Sequence, residues 1–353
     1  MSVLLRKLVL AICIVCAMLG LSSCYKAAIK DGSVPVTSNP LPNPGSNWIK
    51  LNSLNDTIAV LEEFNNVIYA ASNHNTLYTS VDHGASWLSA KVGTGDITIT
   101  AIRVFNGKIY LGTGNNGIFS SNDGRNWINY VSGFQDYNIY GYLVGYPISS
   151  FAISNNTLYV STRGNGVRAL NPATGNWDAF NSGLPQIITS FEVFKMLSAN
   201  NTLVAAAGVN ATFYYYNVSS GQWLESALPH IQTYIDKMIV DNGTLYGHTS
   251  EGKMIRSTNN GLSWDYDTAD LHNAQALNYK ELYCGTTKDY ILSVSFGSAE
   301  NGTTIQQRDK NAALGSTWAN GQEFLEGIHA HAILQSGSVL FLGTNEGLYV
   351  RSI

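Results

Sequence analysis

The stretch NGKIYLGTGNNGIFSSNDGRNW, from Asn106 to Trp127, contains the pattern that decides the fold. Short runs of alternating apolar and polar residues are separated by turn residues at Asn106-Gly107, at 114–116 and at 122–126. Alternation with period two is typical of half-buried strands, and Asn-Gly pairs favour tight hairpin turns. Together with the preceding run TAIRVF and the following WINYV, the stretch predicts four antiparallel strands.

The same unit recurs along the chain, at 65–87, 155–177, 242–264 and, without its last strand, 336–353. All seven tryptophans occupy the same position in the unit, at intervals of roughly 40 to 55 residues. They are Trp48, Trp87, Trp127, Trp177, Trp223, Trp264 and Trp318. Repeats of four strands at this spacing predict an all-β fold, a seven-bladed β-propeller of four-stranded antiparallel blades.

The two ends of the chain complement each other. The C-terminal unit stops after its third strand, and the segment NPGSNW at 43–48 resumes the pattern where it stops. We therefore expect the N-terminal strand around Trp48 to close the last blade, which would remove an open sheet edge.

Three of the turns resemble the Asp-box, S-x-D-x-G-x-T-W, which is also called the BNR repeat. They are SVDHGASW, SSNDGRNW and STNNGLSW, and the matching positions are Ser80, Asp82, Gly84 and Trp87; Ser120, Asn122, Gly124 and Trp127; and Ser257, Asn259, Gly261 and Trp264. The resemblance implies a propeller similar to the sialidase-like, xyloglucanase-like, sortilin-like and Ycf48-like proteins. These families share a fold and differ in function, so membership leaves the activity open.

The Asp-box turns have a structural explanation that needs no metal. In the second copy, Asn122 is expected to hydrogen-bond the backbone two residues on, Gly124 to adopt a positive φ and Trp127 to pack between sheets. Asp123 lacks the further carboxylates that a calcium loop requires, and the third copy contains no acid. We therefore predict no metal ion and no cofactor.

The N-terminus has the pattern of an export signal, with Arg6 and Lys7 before an apolar run over 8–21. The sequence LSSC that follows resembles the lipobox of bacterial lipoproteins, whose cysteine is joined to a diacylglycerol. This resemblance implies a signal peptide over 1–23 and lipidation of Cys24. An ordinary secretory signal is the alternative.

The lipoprotein interpretation also divides the rest of the chain. Residues 24–42 are rich in proline and lack apolar periodicity, which predicts a flexible, lipid-anchored linker before a propeller domain at 43–353. Tyr25 follows the cysteine where an inner-membrane retention signal would have aspartate. The expected location is the outer membrane, facing the periplasm or the cell surface.

Composition excludes some partners. The formal net charge is −4 and no basic cluster follows the signal, so nucleic acid is not an expected partner. After processing and lipidation of Cys24, Cys284 is the only free cysteine, and its apolar flanks predict an inert core thiol. The propeller is expected to be a monomeric domain.

Candidate binding residues lie opposite the Asp-box turns, on what we call the loop face. It consists of the loops that lead into each unit, such as 133–147, and the loops between second and third strands, such as 161–166. The longest loop carries four tyrosines beside an acid, Tyr137, Tyr140, Tyr142, Tyr146 and Asp136. Tyrosine rings suit stacking against sugars, and the alternative is that they cover the edge of a blade. Further polar candidates are Arg163, Glu251, Lys288, Asp289 and Glu346.

Two other sets of residues could carry chemistry. Acids that precede the units could supply the carboxylate pair of a glycoside hydrolase, whose separation of about 5 to 9 Å decides the stereochemistry. They are Asp56, Asp96, Asp270 and Glu326, and a solvated loop is the alternative for each. His329 and His331 are expected on one face of an innermost strand, where packing or hydrogen bonding is favoured over metal binding.

Departures from the enzyme families favour binding over catalysis. The sialidase segment Phe-Arg-Ile-Pro is absent, few arginines remain for a substrate-binding triad, and one propeller is present where the xyloglucan hydrolases use two. The sequence therefore predicts a lipid-anchored, non-catalytic module of the cell envelope that binds a glycan or a protein. The alternatives are a sialidase-like or xyloglucanase-like glycoside hydrolase and a structural subunit of an outer-membrane complex.

Overall fold

The computed structural model of the chain describes residues 35–36, 48–130, 133–134, 137–139, 142–144, 146–187, 190–208, 212–228, 235–249, 253–267, 278–286, 288–296, 301–310 and 319–353. The predicted signal peptide over 1–23 and the predicted lipidation site Cys24 lie outside these residues. In the described part of the chain, no helix is long and apolar enough to cross a membrane. The described residues form 31 strands.

The first ten strands are two strands of two residues each and eight strands that form two antiparallel sheets. They are β1 (Pro35–Val36), β2 (Ile49–Lys50), β3 (Ile58–Phe64), β4 (Val67–Ser72), β5 (Thr76–Ser80), β6 (Trp87–Lys91), β7 (Ile99–Phe105), β8 (Lys108–Thr113), β9 (Ile118–Ser121) and β10 (Ile128–Tyr130). A separate two-stranded hairpin follows, made of β11 (Tyr137–Ile139) and β12 (Tyr142–Val144).

The middle of the chain contains eight strands of one sheet. They are β13 (Ile148–Ser154), β14 (Thr157–Gly164), β15 (Gly166–Leu170), β16 (Trp177–Ala179), β17 (Phe191–Ala199), β18 (Thr202–Ala207), β19 (Thr212–Asn217) and β20 (Gln222–Glu225).

The C-terminal part contains the remaining strands. They are β21 (Ile235–Asp241), β22 (Thr244–Thr249), β23 (Met254–Ser257), β24 (Asp265–Asp267), β25 (Asn278–Cys284), β26 (Lys288–Phe296), β27 (Asn301–Asp309), β28 (Ala319–Glu326), β29 (Ala330–Ser336), β30 (Val339–Thr344) and β31 (Gly347–Ser352).

The number of separate blades differs from the prediction. Five sheets of four or five strands stand as separate blades: β1 with β3–β6, β7–β10, β21–β24, β25–β28, and β29–β31 with β2. Strands β13–β20 form one eight-stranded sheet, because Arg163 and Gly164 at the end of β14 pair with Glu192 and Phe191 at the start of β17. The prediction of seven separate four-stranded blades is therefore wrong.

The hairpin turns between first and second strands follow the predicted turn chemistry. Asn65-Asn66, Asn155-Asn156 and Asn200-Asn201 have positive φ at both residues, and so do Asn106-Gly107 and Asn242-Gly243. Two consecutive positive φ values match the right-handed twist of the flanking strands, and asparagine and glycine adopt them at least cost. These pairs fix the register of each hairpin.

The innermost strands share an irregularity near their start. Strands β3, β7, β13, β17, β21, β25 and β29 each shift register by one residue against the strand that follows. Such bulges bend a strand and re-aim its side chains. At two of them the displaced hydroxyl joins neighbouring strands, since Thr100 Oγ1 donates to the Ile148 carbonyl and Ser149 Oγ to the Val193 carbonyl, each at 2.7 Å.

The core lies between neighbouring strand units, where the tryptophans pack. Trp87, Trp177 and Trp223 are among the largest fully buried side chains. The Trp87 ring meets Phe341 edge-on with centroids 6.2 Å apart, so the beginning and the end of the propeller share one apolar cluster. Edge-to-face pairs add about 0.5 to 1.5 kcal/mol beyond burial.

Both N-terminal strands join sheet edges. In β2, Ile49 pairs with Val350 and Lys50 with Tyr349, so the N-terminal segment completes the sheet that contains the C-terminus. The Arg351 guanidinium lies 4.8 Å from the centroid of the Trp48 ring, which adds a cation–π contact. Pro35 and Val36, within the segment predicted as linker, pair with Leu88 and Trp87 of β6.

Candidate functional site

The tyrosine-rich loop is only partly described. Tyr137 and Tyr142 lie in the hairpin of β11 and β12, where Tyr142 pairs with Ile139 and Tyr137 with Val144. Tyr140 lies outside the described residues, as do Asp136, Glu251, Asp270 and Trp318. Their proposed roles stay predictions.

Tyr146 is a core residue. Its side chain is 8% exposed, and its ring stacks on Phe134 with centroids 4.8 Å apart and planes 11° apart. Both rings pack in the cluster around Trp177. Tyr146 therefore takes the alternative role, covering a blade edge, and its ring face is not available to a ligand.

The loop face carries three acid–base pairs. Asp56 Oδ1 is 2.5 Å from His74 Nδ1, Arg163 Nε is 3.3 Å from Glu192 Oε2, and Lys50 Nζ is 3.8 Å from Glu346 Oε2. These six residues come from loops or strand ends that the sequence placed on this face. Charged groups of both signs therefore surround it.

Two of these pairs have aromatic neighbours. The Arg163 guanidinium, with a side chain that is 54% exposed, lies 5.0 Å from the centroid of the Phe194 ring. The Tyr349 hydroxyl donates to Glu346 Oε2 at 3.3 Å. Arginine and aromatic residues are both enriched at protein interfaces.

The described acids of the loop face differ in their surroundings. Asp56, Glu192 and Glu346 each face a basic side chain, and Asp96 and Glu326 are exposed. Within the part of the chain that is described, no group of three or more His, Cys, Asp or Glu residues could hold a metal ion.

His74 provides a titration test of the loop face. The hydrogen bond that His74 donates to Asp56, together with the negative charge of Asp56, raises the pKa of His74 above the ordinary value of about 6.5. Because the folded pKa is the higher one, the pair stabilises the fold fully below the unfolded pKa, and this contribution is lost as the pH rises through the folded pKa. We expect Asp56→Asn to lower the pKa of His74 in an NMR titration, and an unchanged pKa would contradict the pairing.

The two histidines near the last sheet are separated by a strand boundary. Strand β29 begins at Ala330, so His329 precedes it, and His331 occupies the bulge between Ala330 and Ala332. His329 Nε2 lies 2.8 Å from Asn301 Oδ1. The prediction was that His329 and His331 lie on one face of a regular strand. The structure differs, because neither residue lies in the regular part of β29.

The turn face, made of the hairpin turns between first and second and between third and fourth strands, is stabilised by side-chain bonds. In the 80–87 turn, Ser80 Oγ donates to Asp82 Oδ1, Gly84 N donates to Ser80 Oγ, and Trp87 Nε1 donates to the Gly84 carbonyl. Burial raises the pKa of Asp82, but hydrogen bonds from Ser86 and Ser80 outweigh it, and the net pKa is lowered. In the 257–264 turn, Ser257 and Asn259 make the corresponding bonds.

The second copy of this turn uses different residues from those predicted. Ser121 Oγ donates to Asp123 Oδ1, and the amides of Arg125 and Asn126 donate to the same carboxylate oxygen. Ser121 and Asp123 thus make the bonds that were expected of Ser120 and Asn122. Asp123 directly precedes Gly124, whereas in the 80–87 turn one residue separates Asp82 from Gly84. These bonds outweigh burial and hold the pKa of Asp123 well below its usual range.

A buried ionic network lies on the turn face between β21 and β27. Lys310 Nζ is 2.7 Å from Asp241 Oδ2 and 3.7 Å from Asp289 Oδ1, and Arg308 Nη2 is 3.4 Å from Asp289 Oδ2. Lys288 and Asp289 were predicted to lie in a loop-face connection. They begin the second strand β26, next to the turn face, and so do not line the loop face.

The same network surrounds Cys284. Burial, followed by the charge of Asp289, raises the pKa of the Cys284 thiol far above its ordinary value. The thiolate is the reactive form of cysteine, so a raised pKa agrees with the predicted inert role.

The innermost strands enclose a central channel. Its cavity of about 470 Å³ is lined by residues of β3, β7, β13, β17, β21, β25 and β29. A second cavity of about 340 Å³ lies toward the turn face and reaches Asn200 and Asn201. Arg103 lines both cavities. Arg103 was not among the predicted site residues, although a single arginine in the otherwise apolar run ITAIRVF is a visible signal.

Comparison with known proteins agrees with the architecture. No protein-family model matches the chain, and no curated protein matches it. The solved structure described as YCF48 bound to D1 peptide aligns with 90% of this chain and 99% of its own, with a TM-score of 0.62 and 13% identity. At this identity the likeness shows the fold alone.

Two bacterial structures align with most of this chain but with a smaller part of their own. The extracellular domain of the hybrid two-component system BT4673 from B. thetaiotaomicron has a TM-score of 0.57 and 15% identity over 86% of this chain and 39% of its own. PorZ from Porphyromonas gingivalis has a TM-score of 0.50 and 13% identity over 86% and 37%. The fold and these similarities define the chain as an all-β protein of the β-propeller class.

Proposed function

We propose that the chain is a lipid-anchored β-propeller of the cell envelope that binds a protein or a glycan on its loop face without catalysing a reaction. The observation that carries the proposal is the set of three acid–base pairs on that face. Each described acid in these pairs is neutralised by a base, which suits recognition of a polar surface. A glycoside hydrolase would instead need two carboxylates facing one substrate.

The pair of Arg163 and Glu192 is the proposed centre of the contact. Arg163 is exposed, and its position over Phe194 restricts the guanidinium without covering its outer edge. A partner that brings a carboxylate to Arg163 would form a charge-assisted hydrogen bond and bury the neighbouring aromatic ring.

The structural neighbours support a protein partner in general. One of them is described as bound to a peptide, one is an extracellular domain, and PorZ is described as a bacterial surface component of the type-IX secretion system. The lipid anchor at Cys24 and the outer-membrane location rest on LSSC and Tyr25 in the sequence. A fixed place in an outer-membrane complex is compatible with the same contact face.

The test compares two charge reversals in the purified full chain. Binding is measured against a panel of polysaccharides and an array of unstructured peptides. Arg163→Glu is expected to weaken binding at least about tenfold, since a hydrogen bond to a charged group contributes about 1.5 to 3 kcal/mol. Arg125→Glu, on the turn face, is the matched control and should leave binding unchanged.

Equal binding by the two variants would contradict a contact centred on Arg163. If the ligand is a sugar, changing Tyr137, Tyr140 and Tyr142 to alanine should also weaken binding. Sugar binding that is unaffected by this triple change would contradict the predicted aromatic platform.

A further inference from the structure

The outer edge of the first blade, made of β1 and β3–β6, carries an additional strand. Pro35 of β1 pairs with Leu88 and Val36 with Trp87, so β1 extends the sheet beyond β6. The corresponding edge strands β10, β16, β20, β24 and β28 have no further strand among the described residues. The edge of β6 therefore binds an extended segment of the same chain through backbone pairing.

Val36 is the residue that holds this pairing. Successive positions of an antiparallel pair alternate between residues that exchange backbone hydrogen bonds and residues that do not. Pro35 has no N–H and suits the position that exchanges none, opposite Leu88. The exchange of both bonds is thereby assigned to Val36 and Trp87, and the Trp87 side chain is fixed in the core at 0% exposure.

The N-terminal segment is bound at two places on the rim, by which we mean the outermost strands of the blades. Strand β1 lies on the edge of the first blade, and Ile49 and Lys50 of β2 pair with β31 of the last. The two blades are neighbours, because Trp87 and Phe341 belong to one apolar cluster. The rim lies between the turn face and the loop face, so a segment bound there covers neither face.

We propose that the outer edge of β6 is the docking site of the chain's own N-terminal segment, and that this docking holds the propeller close to the membrane by its rim. The membrane part rests on the lipid anchor at Cys24 in the proposed function. An extended chain spans at most about 40 Å from Cys24 to Pro35, against about 90 Å from Cys24 to Ile49. Docking of β1 therefore shortens the reach of the anchor by more than half and leaves the loop face open to a partner.

Disulfide trapping in the purified full chain tests the docking. Directly paired residues of antiparallel strands have Cα atoms about 4.5 to 5.5 Å apart, which a disulfide can span. Under mild oxidation, Pro35→Cys with Leu88→Cys should link in most molecules, as identified by mass spectrometry of the digested chain. Pro35→Cys with Ile128→Cys is the matched control and should not link. Ile128 follows Trp127 as Leu88 follows Trp87, and it is 59% exposed.

Two substitutions at Val36 separate backbone pairing from random collision. Adding Val36→Pro to the pair at 35 and 88 removes the N–H and should slow disulfide formation at least about tenfold, because two backbone hydrogen bonds are lost. Val36→Ala keeps the N–H and should leave the rate unchanged. Equal rates for the pairs 35–88 and 35–128, or a rate that Val36→Pro does not change, would overturn the docking.

Neutron reflectometry of the lipid-anchored chain on a supported bilayer of phosphatidylethanolamine and phosphatidylglycerol tests the shortened reach. The native chain and the disulfide-linked variant should lie at the same distance from the bilayer, and Val36→Pro should lie farther away. A linked variant that lies closer than the native chain would overturn docking at the membrane. An N-terminal peptide without lipid would overturn the anchor and the membrane part together, while the disulfide result would still decide the docking.

Discussion

Gly183→Ala is expected to lower the free energy of unfolding by about 3 kcal/mol or more. Gly183 has φ of +91°, and a Cβ atom at this position would lie 2.2 Å from the carbonyl oxygen of Trp223. The backbone there is fixed, since Trp223 N donates to the Ser182 carbonyl at 2.8 Å and the Trp223 ring is 1% exposed. The alanine would therefore add a backbone collision to an unfavourable φ.

Gly175→Ala is the matched control because it separates these two effects. Gly175 has φ of +75°, and a Cβ atom there would meet nothing within 4 Å. The control should lose only the free energy of unfolding that a left-handed backbone conformation costs an alanine, roughly 1 to 2 kcal/mol. Denaturant unfolding of both variants gives the comparison, and equal losses would show that the loop at Gly183 does not pack on Trp223 as described.

Lys310→Met should cost about 3 kcal/mol of unfolding free energy. The substitution leaves the carboxylates of Asp241 and Asp289, whose side chains are only 21% and 9% exposed, without the ammonium between them. Asp289 keeps its ion pair with Arg308, so the uncompensated charge of the largely buried Asp241 is the main reason for the effect. Adding Asp241→Asn to Lys310→Met removes this charge and should restore part of the stability.

Lys50→Met makes the same chemical change at an exposed pair. The side chains of Lys50 and Glu346 are 35% and 47% exposed and their charged atoms are 3.8 Å apart, so the expected loss is below about 1 kcal/mol. Equal losses for Lys310→Met and Lys50→Met would contradict a buried network.

The network also predicts a pH dependence. Burial lowers the pKa of Lys310, but the hydrogen bond to Asp241 and the nearby negative charges outweigh it, and the net pKa is raised. The stabilisation is therefore present below the unfolded lysine value of about 10.4 and is lost as the pH rises through the folded value. The destabilisation by Lys310→Met should accordingly shrink in strongly alkaline solution.

Local sequence chemistry predicted the hairpins well. Asn106-Gly107 and Asn65-Asn66 mark turns whose residues have positive φ, and the alternating runs beside them are strands. These features depend on neighbours in sequence. The pairing of β14 with β17 could not be predicted in this way, because it depends on how far β14 extends beyond its own hairpin.

The same distinction applies to the candidate sites. The motif pattern identified the turn at 120–127, but small shifts in backbone geometry decide whether Asn122 or Asp123 receives the hydrogen bonds. Tyr146 looked like a surface tyrosine because its burial depends on Phe134 and Trp177, which belong to different segments. The pairing of Asp56 with His74 likewise requires two loops to meet.

The most direct test of a non-catalytic loop face measures binding and product release in the same samples. The purified full chain is incubated with each polysaccharide of the panel and each peptide of the array, and bound ligand and released sugar ends are quantified over time. The proposed function predicts saturable binding of at least one ligand with no released product. Release of sugar that is abolished by Glu346→Gln or by Asp56→Asn would contradict it.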